Sequence, residues 1–273
     1  IIFDRRYGST NTFEKNNYPV GYNLGQSGNT PSQNLVDAYE MIDGTPFDWN
    51  NPEHKSNPYA NRDPRLAMSI LTNNVEFKDR TIEAWTGGRD GKGVIHATRT
   101  GYYIYKFIDP NLDLLQNRTS VHHWVIMRYA EILLSYAEAM NEAYGPTGNV
   151  GYRLNAVRAL NQVRNRVGVE MPAVPTAISK EELREKIRNE RRVELAFEDH
   201  RFWDVRRWMI AEQEGVMSGA MYGIKIYWIN SSPQEFRYTP YLYENRTFTK
   251  KMYLHPFSTN EVNKGYLIQN PGY

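Results

Sequence analysis

The charged segment at residues 187–208, which reads IRNERRVELAFEDHRFWDVRRW, restricts the possible folds of this chain more than any other stretch. Eleven of its 22 residues are Asp, Glu, Lys or Arg, and four large aromatic residues lie among them. On a helix, with about 100° between successive residues, Glu190 and Glu194 fall close to an apolar stripe that contains Leu183 and Ile187. Buried charges are tolerated only when they are paired and hydrogen-bonded, so the sequence predicts an internal ionic network. The expected partners are the arginines of the same segment: Arg188, Arg191, Arg192, Arg201, Arg206 and Arg207.

Upstream of this segment, two stretches have apolar residues at helical spacing. The first stripe consists of Met127, Ala130, Leu134, Ala137 and Met140, and the second of Leu154, Val157, Leu160, Val163 and Val167. Glycines follow both stripes, as is typical of helix ends. Ser179 and Glu182 form a capping box that begins the next helix, which is expected to run toward Glu198. After a break near 199–200, another helix is expected to reach about Glu214.

The first 120 residues predict mostly irregular structure, because Asn, Gly and Pro recur there at short intervals. Within them we expect a short helix at 34–41. Residues 64–71 and 101–107 are expected to form strands, since β-branched or aromatic side chains are frequent in both. Near the other end of the chain, residues 224–229 alternate in the manner of a strand, and later prolines exclude a long helix.

Three groups of motifs occur in a characteristic order along the chain. MRYAEILLSYAEAMNEA at 127–143 is followed by ALNQVRNRVG at 159–168, then by the charged segment, then by YLHPFSTNEVNKGYLIQNPGY at 253–273. In this order they closely resemble the SusD/RagB family of nutrient-binding outer-membrane lipoproteins. The resemblance is strong over 121–273. It is weaker over the first 120 residues, where LVDAYEMIDGTPF and NRDPRLAMSIL fit the family.

The resemblance implies a mainly α, SusD-like fold with tetratricopeptide-like helix pairs, extensive irregular loops and a few short strands. Residues 1–120 would be the loop-rich part with short strands, and 121–273 the helical C-terminal region of one continuous domain. The N-terminal part of the full protein would be missing. The resemblance further implies a surface-exposed lipoprotein of the outer membrane, attached to the membrane only by a lipid anchor outside this chain. Its partners would be an oligosaccharide or other nutrient and a SusC-like TonB-dependent transporter.

The composition argues against several other classes of protein. The chain has 33 basic and 31 acidic residues, and its net charge of +2 gives no electrostatic case for nucleic-acid binding. It has no cysteine, which excludes disulfides, thiol nucleophiles and Cys-ligated metals. No apolar run approaches the roughly 20 residues of a membrane-spanning helix. The histidines and the glycine run at 87–93 lack the spacing of metal or phosphate sites, so we expect no metal and no cofactor. Asp43 and Asp48 do not have the spacing of an EF-hand, and calcium binding is left open.

The two carboxylates of the charged segment raise the possibility of a glycoside hydrolase. Such an enzyme needs its carboxylates on opposite sides of the scissile bond. Glu190 and Glu194 would instead project in parallel from one helix, surrounded by arginines. We therefore expect no catalytic residue and a protein that is not an enzyme.

Ligand binding is expected in loops where an aromatic residue has polar neighbours. Aromatic side chains can cover the C–H face of a sugar, and polar side chains can bind its hydroxyl groups. The candidate ligand-binding residues are Tyr18, Tyr22, Asn23, Trp49 and Trp85. For each aromatic among them, packing on the core is an open alternative. Two alternative functions also remain open, namely a helical scaffold that docks the transporter and a protein that binds peptide rather than glycan.

Overall fold

The structure, a computed structural model, describes residues 1–273 and contains nine α-helices, eight strands and one 3-10 helix. The helices are α1 (Thr12–Asn17), α2 (Gln33–Val36), α3 (Pro52–Ser56), α4 (Arg65–Ser69), α5 (Tyr129–Tyr144), α6 (Ala156–Arg164), α7 (Lys180–Glu194), α8 (His200–Arg207) and α9 (Thr259–Val262). The strands are β1 (Phe3–Arg6), β2 (Ile70–Leu71), β3 (Glu76–Phe77), β4 (Arg80–Thr81), β5 (Tyr103–Ile104), β6 (His123–Met127), β7 (Gly219–Ser231) and β8 (Gln234–Arg246). They form four antiparallel pairs, β1–β6, β2–β5, β3–β4 and β7–β8. None of the helices combines the length and apolarity needed to cross a bilayer.

Two hydrophobic cores meet at α7. The first contains 18 buried residues, most of them between positions 18 and 114, with others on α7, β7 and β8. The second contains 13 buried residues, most of them on α5, α6 and α7. Helix α7 contributes Val193 to the first core, and Leu183 and Ile187 to the second. The charged helix therefore lies between the cores, and its polar side chains there are removed from water.

The predicted pair of helices is confirmed as α5 and α6, with differences at the ends. Leu134, Ala137 and Met140 are buried on α5, as the spacing predicted. Met127, which was expected in the same stripe, lies in β6 and is exposed. Helix α6 ends at Arg164, so Val167 lies beyond it and is 93% exposed; its assignment to the buried stripe is wrong. The tetratricopeptide-like character of the pair stays a prediction.

The predicted capping box at the start of α7 is confirmed. The Ser179 Oγ accepts a hydrogen bond from the Glu182 N–H at 3.2 Å, and the Glu182 carboxylate accepts one from the Ser179 N–H at 3.0 Å. The helix stops at Glu194 instead of running to residue 198. Phe197 and Asp199 have φ values of +64° and +63°, and this left-handed conformation ends a helix. The predicted break near residue 199 is therefore confirmed.

Four other predicted element lengths are corrected. The helix expected to reach residue 214 ends with α8, and the helix expected at 34–41 is only the single turn of α2. Residues 65–71 form α4 followed by β2, not one strand, and the Asp63 Oδ1 accepts a hydrogen bond at 2.9 Å from the Arg65 N–H, one of the donors that the first turn of α4 leaves unpaired. The strand expected at 101–107 is reduced to β5.

A long hairpin occupies much of the C-terminal region. Strands β7 and β8 have 13 residues each, joined by Ser232 and Pro233, whereas the sequence predicted only one strand at 224–229. Ile224, Ile226 and Tyr238 turn inward and join the first core. After α8, the region expected to be helical contains this hairpin and only two short helical turns, the 3-10 helix at Lys250–Tyr253 and α9. The division of the chain at residue 120 stays a prediction, and the first core crosses that position.

Candidate functional site

The charged segment forms an ionic network between the two cores. Glu190 and Glu194 are both buried, which confirms the prediction from helical spacing. Both carboxylates accept hydrogen bonds from the buried Arg65. Their other partners are Arg164 for Glu190 at 2.8 Å, and Arg128 and Arg166 for Glu194 at 2.6 Å each. Every oxygen of the two carboxylates therefore accepts at least one guanidinium N–H.

These partners are not the arginines that the sequence predicted. They come from α4, α6, the start of α5 and the loop after α6, because the carboxylate face of α7 packs against those parts of the chain. The arginines of 187–208 lie on other faces. Arg191 pairs with Asp204 at 2.9 Å, and Arg192 donates to the carbonyl of Asn34. The expected local partners are therefore wrong, although the network itself is present.

The electrostatics of the network indicate a structural role. Burial desolvates Glu194 and by itself would raise its pKa, but Arg128, Arg166 and Arg65 outweigh this effect and lower the pKa to about 2. Glu194 is therefore fully ionised at neutral pH. A carboxylate with so low a pKa and no free oxygen is a poor general acid or base.

The first three predicted binding residues lie in the loop after α1. Tyr18 and Tyr22 are buried and both pack edge-on against Phe77, with ring centroids 5.4 and 5.0 Å apart. The Tyr18 hydroxyl donates to the Asp109 carbonyl at 2.5 Å, and the Tyr22 hydroxyl donates to the Phe77 carbonyl at 2.8 Å. Asn23 is exposed. Both tyrosine rings therefore pack on the core, which is the alternative given above for each aromatic candidate.

Trp49 is also engaged within the protein. Its side chain is half-buried against the first core and contacts Phe47 edge-on, with ring centroids 5.1 Å apart. The indole Nε1 donates to the Asp37 Oδ1 at 3.1 Å. The polar group of this tryptophan is therefore not free to bind a ligand, and only part of its ring faces solvent.

Trp85 belongs to an aromatic group at the turn end of the hairpin, which we call the tip cluster (Trp85, Trp228 and Phe236). The Trp85 ring lies 4.7 Å from the Trp228 ring in an edge-on arrangement and 5.3 Å from the Phe236 ring. Trp228 is 43% exposed, and the other two are half-buried. The tip cluster therefore presents an aromatic surface to solvent on a base that packs against the first core.

The loop that carries Trp85 is held in place by its backbone and by one ion pair. The Thr86 N–H donates to the Ile226 carbonyl of β7 at 2.8 Å. Asp90 is fully buried, pairs with Arg80 at 2.6 Å and accepts from the Glu83 N–H at 2.9 Å. The first contact attaches the loop to the hairpin, and the contacts of Asp90 attach it to β4 and brace it internally, so together they hold Trp85 in position.

Beside the tip cluster lies a cavity of about 670 Å³, bounded by α3 and β8. Phe236 lines it together with polar residues: Lys55, Ser56, Asn57, Asn74, Gln234, Glu235 and Arg237. This combination of an aromatic surface and polar groups suits a sugar, which has an apolar face and a rim of hydroxyls. A larger cavity of about 900 Å³ lies between α7 and the loop at 172–178, but no aromatic side chain lines it.

Of the five predicted residues, the structure places Trp85 alone in the tip cluster. Tyr18 and Tyr22 share a contact with Phe77, and no ring contact joins them or Trp49 to Trp85. Their ligand-binding role stays a prediction. The sequence interpretation missed Trp228 and Phe236. The signal was the alternation before and after Ser232-Pro233, which predicts a hairpin with aromatic residues near its turn. No group of three His, Cys, Asp or Glu residues is arranged to hold a metal ion.

Comparison with known proteins identifies relatives over parts of the chain and over all of it. A family model described as the SusD family matches residues 1–273. SusD-like protein P2 of Formosa agariphila is 35% identical over 111 residues, which are 39% of this chain and 20% of that protein. SusD-like protein P38 of the same organism is 35% identical over 89 residues, 30% of this chain and 16% of that protein. The chain therefore matches only a fraction of the length of these relatives.

Two solved structures from Bacteroides fragilis share the fold. A SusD-like protein superimposes with a TM-score of 0.78 at 30% identity, covering 100% of this chain and 54% of that one. A SusD-like carbohydrate binding protein superimposes with a TM-score of 0.76 at 28% identity, covering 96% and 53%. The chain thus spans about half the length of each, and the expected SusD-like fold is confirmed. Together with the match over all 273 residues, these likenesses show that the chain belongs to the SusD family.

Proposed function

We propose that this chain binds an oligosaccharide at the tip cluster without chemical change. The observation that carries the proposal is the position of Trp228, which is partly exposed, braced by Trp85 and Phe236, and next to a cavity with polar walls. One of the structural relatives is described as a carbohydrate binding protein. The ionic network offers no free carboxylate for hydrolysis, which supports a binding role rather than an enzymatic one.

We further propose the setting of this binding step. The chain would be part of a lipoprotein on the outer-membrane surface that delivers its glycan to a SusC-like TonB-dependent transporter. Membership of the SusD family supports this setting. Attachment to the membrane would come only from a lipid anchor.

A second function, as a scaffold that docks the transporter, is favoured by a different surface. Strands β1 and β6 and the start of α5 expose several large apolar residues, of which Phe3 and Met127 are paired across the two strands and Tyr129 follows closely on α5. Exposed apolar patches often mark protein–protein contacts. This role would not exclude glycan binding at the tip cluster.

Isothermal titration of the chain against a panel of glycans tests the proposal. Trp228→Ala is expected to weaken binding by about thirtyfold, the factor that corresponds to ~2 kcal/mol for an aromatic hot spot. Trp203→Ala is the matched control, because Trp203 is 59% exposed but lies on α8. Equal losses in both variants would contradict a site at the tip cluster. Heat from peptides and none from any glycan would favour the peptide alternative.

A further inference from the structure

The outer face of the hairpin forms a second pocket with the loop that follows Trp85. Its volume is about 360 Å³. The residues that define it are Lys92, Thr98, Arg99, Tyr241, Leu242 and Tyr243. No Asp or Glu lines this pocket. It differs in this respect from the ionic network, where carboxylates accept hydrogen bonds from the cations around them.

The backbone around this pocket is held by several fixed contacts. The Tyr241 hydroxyl donates to the Arg99 carbonyl, and the Ile224 N–H donates to the Thr100 carbonyl at 2.8 Å. The register places Tyr241 opposite Gly223. A Cβ on Gly223 would come within 2.8 Å of the Thr100 Cα, so glycine is required for the loop to lie this close to β7. These contacts therefore fix the loop and the hairpin that form the walls of the pocket.

Two lysines lie close to the Tyr241 ring, Lys92 in the lining of the pocket and Lys225 beside it on β7. The Lys225 Nζ lies 4.8 Å from the centre of the Tyr241 ring, and the Lys92 Nζ lies 5.6 Å from it. Neither lysine, nor Arg99, is within 4.0 Å of a carboxylate. The neighbouring Glu244 is paired with Arg246 at 3.2 Å. Two cations in the pocket lining, Lys92 and Arg99, and a third beside it, Lys225, thus have no carboxylate partner.

This arrangement differs in chemistry from the tip cluster. Lys225 and Trp228 are three residues apart on β7, so their side chains point to opposite faces, about 10 Å apart along the strand. The tip cluster offers aromatic faces, and the cavity beside it has the carboxylate of Glu235 in its lining together with Lys55 and Arg237. The second pocket has Lys92 and Arg99 in its lining and no carboxylate, which favours a ligand that carries an anionic group.

We propose that the pocket around Tyr241 binds the acidic group, a carboxylate or a sulfate, of an acidic saccharide. The inference rests on the proposed glycan-binding function and names a class of ligand for it. Lys92 and Arg99 supply positive charge from the pocket lining, and Lys225 adds to it from beside the Tyr241 ring. Both anions share the same recognition chemistry, so the experiment has one arm for each.

The test compares acidic and neutral oligosaccharides of equal length by isothermal titration. Oligogalacturonate is paired with its carboxyl-reduced form, and a sulfated carrageenan oligosaccharide with its desulfated form. At least one acidic member is expected to bind ten times more tightly than its neutral partner. The double variant Lys92→Gln/Lys225→Gln removes that preference, and raised salt weakens it. Lys250→Gln, which replaces an exposed lysine of the 3-10 helix at Lys250–Tyr253, is the control and keeps the preference.

The outcomes separate this inference from the proposed function. Affinities within twofold for each acidic and neutral pair would overturn the inference, as would a preference that survives in the double variant. Binding of neutral glycans that is lost in Trp228→Ala would still support the tip cluster in that case. Absence of binding to every glycan would overturn both.

Discussion

Replacement of Glu194 by Ala removes the carboxylate at the centre of the ionic network. The change leaves Arg65 buried with its remaining partners and takes one partner each from Arg128 and Arg166. Breaking a buried ion pair on one side costs ~3 to 5 kcal/mol. The pKa gives a similar magnitude. A fall from 4.5 to about 2 corresponds to roughly 3 kcal/mol at ~1.36 kcal/mol per pKa unit.

Urea denaturation measures this loss of unfolding free energy. The variant should unfold at a lower midpoint concentration of urea, and the dependence of its unfolding free energy on urea concentration should be unchanged. Glu185→Ala is the matched control on the same helix. The Glu185 side chain is 69% exposed and pairs only with Arg188, at 2.8 Å, so its removal is expected to cost less than about 0.5 kcal/mol. A loss below about 0.5 kcal/mol for Glu194→Ala as well would refute a buried network around Glu194.

The same comparison has a defined pH dependence. The folded protein holds the Glu194 pKa below its unfolded value, so this residue contributes its full stability above about pH 4.5. The contribution is lost as the pH falls toward about 2. The difference in unfolding free energy between the wild type and Glu194→Ala should therefore narrow over that range. A difference that stays constant from pH 7 to pH 3 would contradict the assignment.

Two further changes test how the helices are held. Ser179→Ala removes the side-chain cap of α7 and should lower the unfolding free energy, measured by urea denaturation, by ~1 kcal/mol. An unchanged unfolding free energy would mean that the cap does not stabilise the helix. Leu160→Ala opens a cavity in the second core and should lower the unfolding free energy by ~2 to 5 kcal/mol. Val167→Ala, at an exposed position beyond α6, should change it by less than about 0.5 kcal/mol. Equal losses of unfolding free energy in the two variants would contradict the end of α6 at Arg164.

Local patterns predicted the helices better than any other part of the fold. The spacing of Leu134, Ala137 and Met140, and the capping box at Ser179, depend on residues within a few positions, and the structure contains both. The partners of Glu194 could not be predicted in this way. Arg65 and Arg128 are far away in sequence, and only the packing of the two cores brings them to α7.

The candidate site was harder to predict for a related reason. A tyrosine beside Gly and Asn has the same local sequence whether its ring faces solvent or the core, and Tyr18 and Tyr22 face the core. Trp85 acquires its significance from Trp228 and Phe236, which lie on a hairpin more than 130 residues later in the sequence. The aromatic residues that form the tip cluster become neighbours only through that long-range pairing.

The most direct test of the central claim is the stabilisation that a bound glycan gives to two variants. At a glycan concentration of 100 times Kd, the wild type should gain ~2.7 kcal/mol in unfolding free energy. Glu194→Ala should start less stable and keep that gain, because the network supports the fold and does not touch the ligand. Trp228→Ala should gain less than ~1 kcal/mol at the same concentration. Loss of the gain in folded Glu194→Ala, or its retention in Trp228→Ala, would contradict the separation of structural network and binding site.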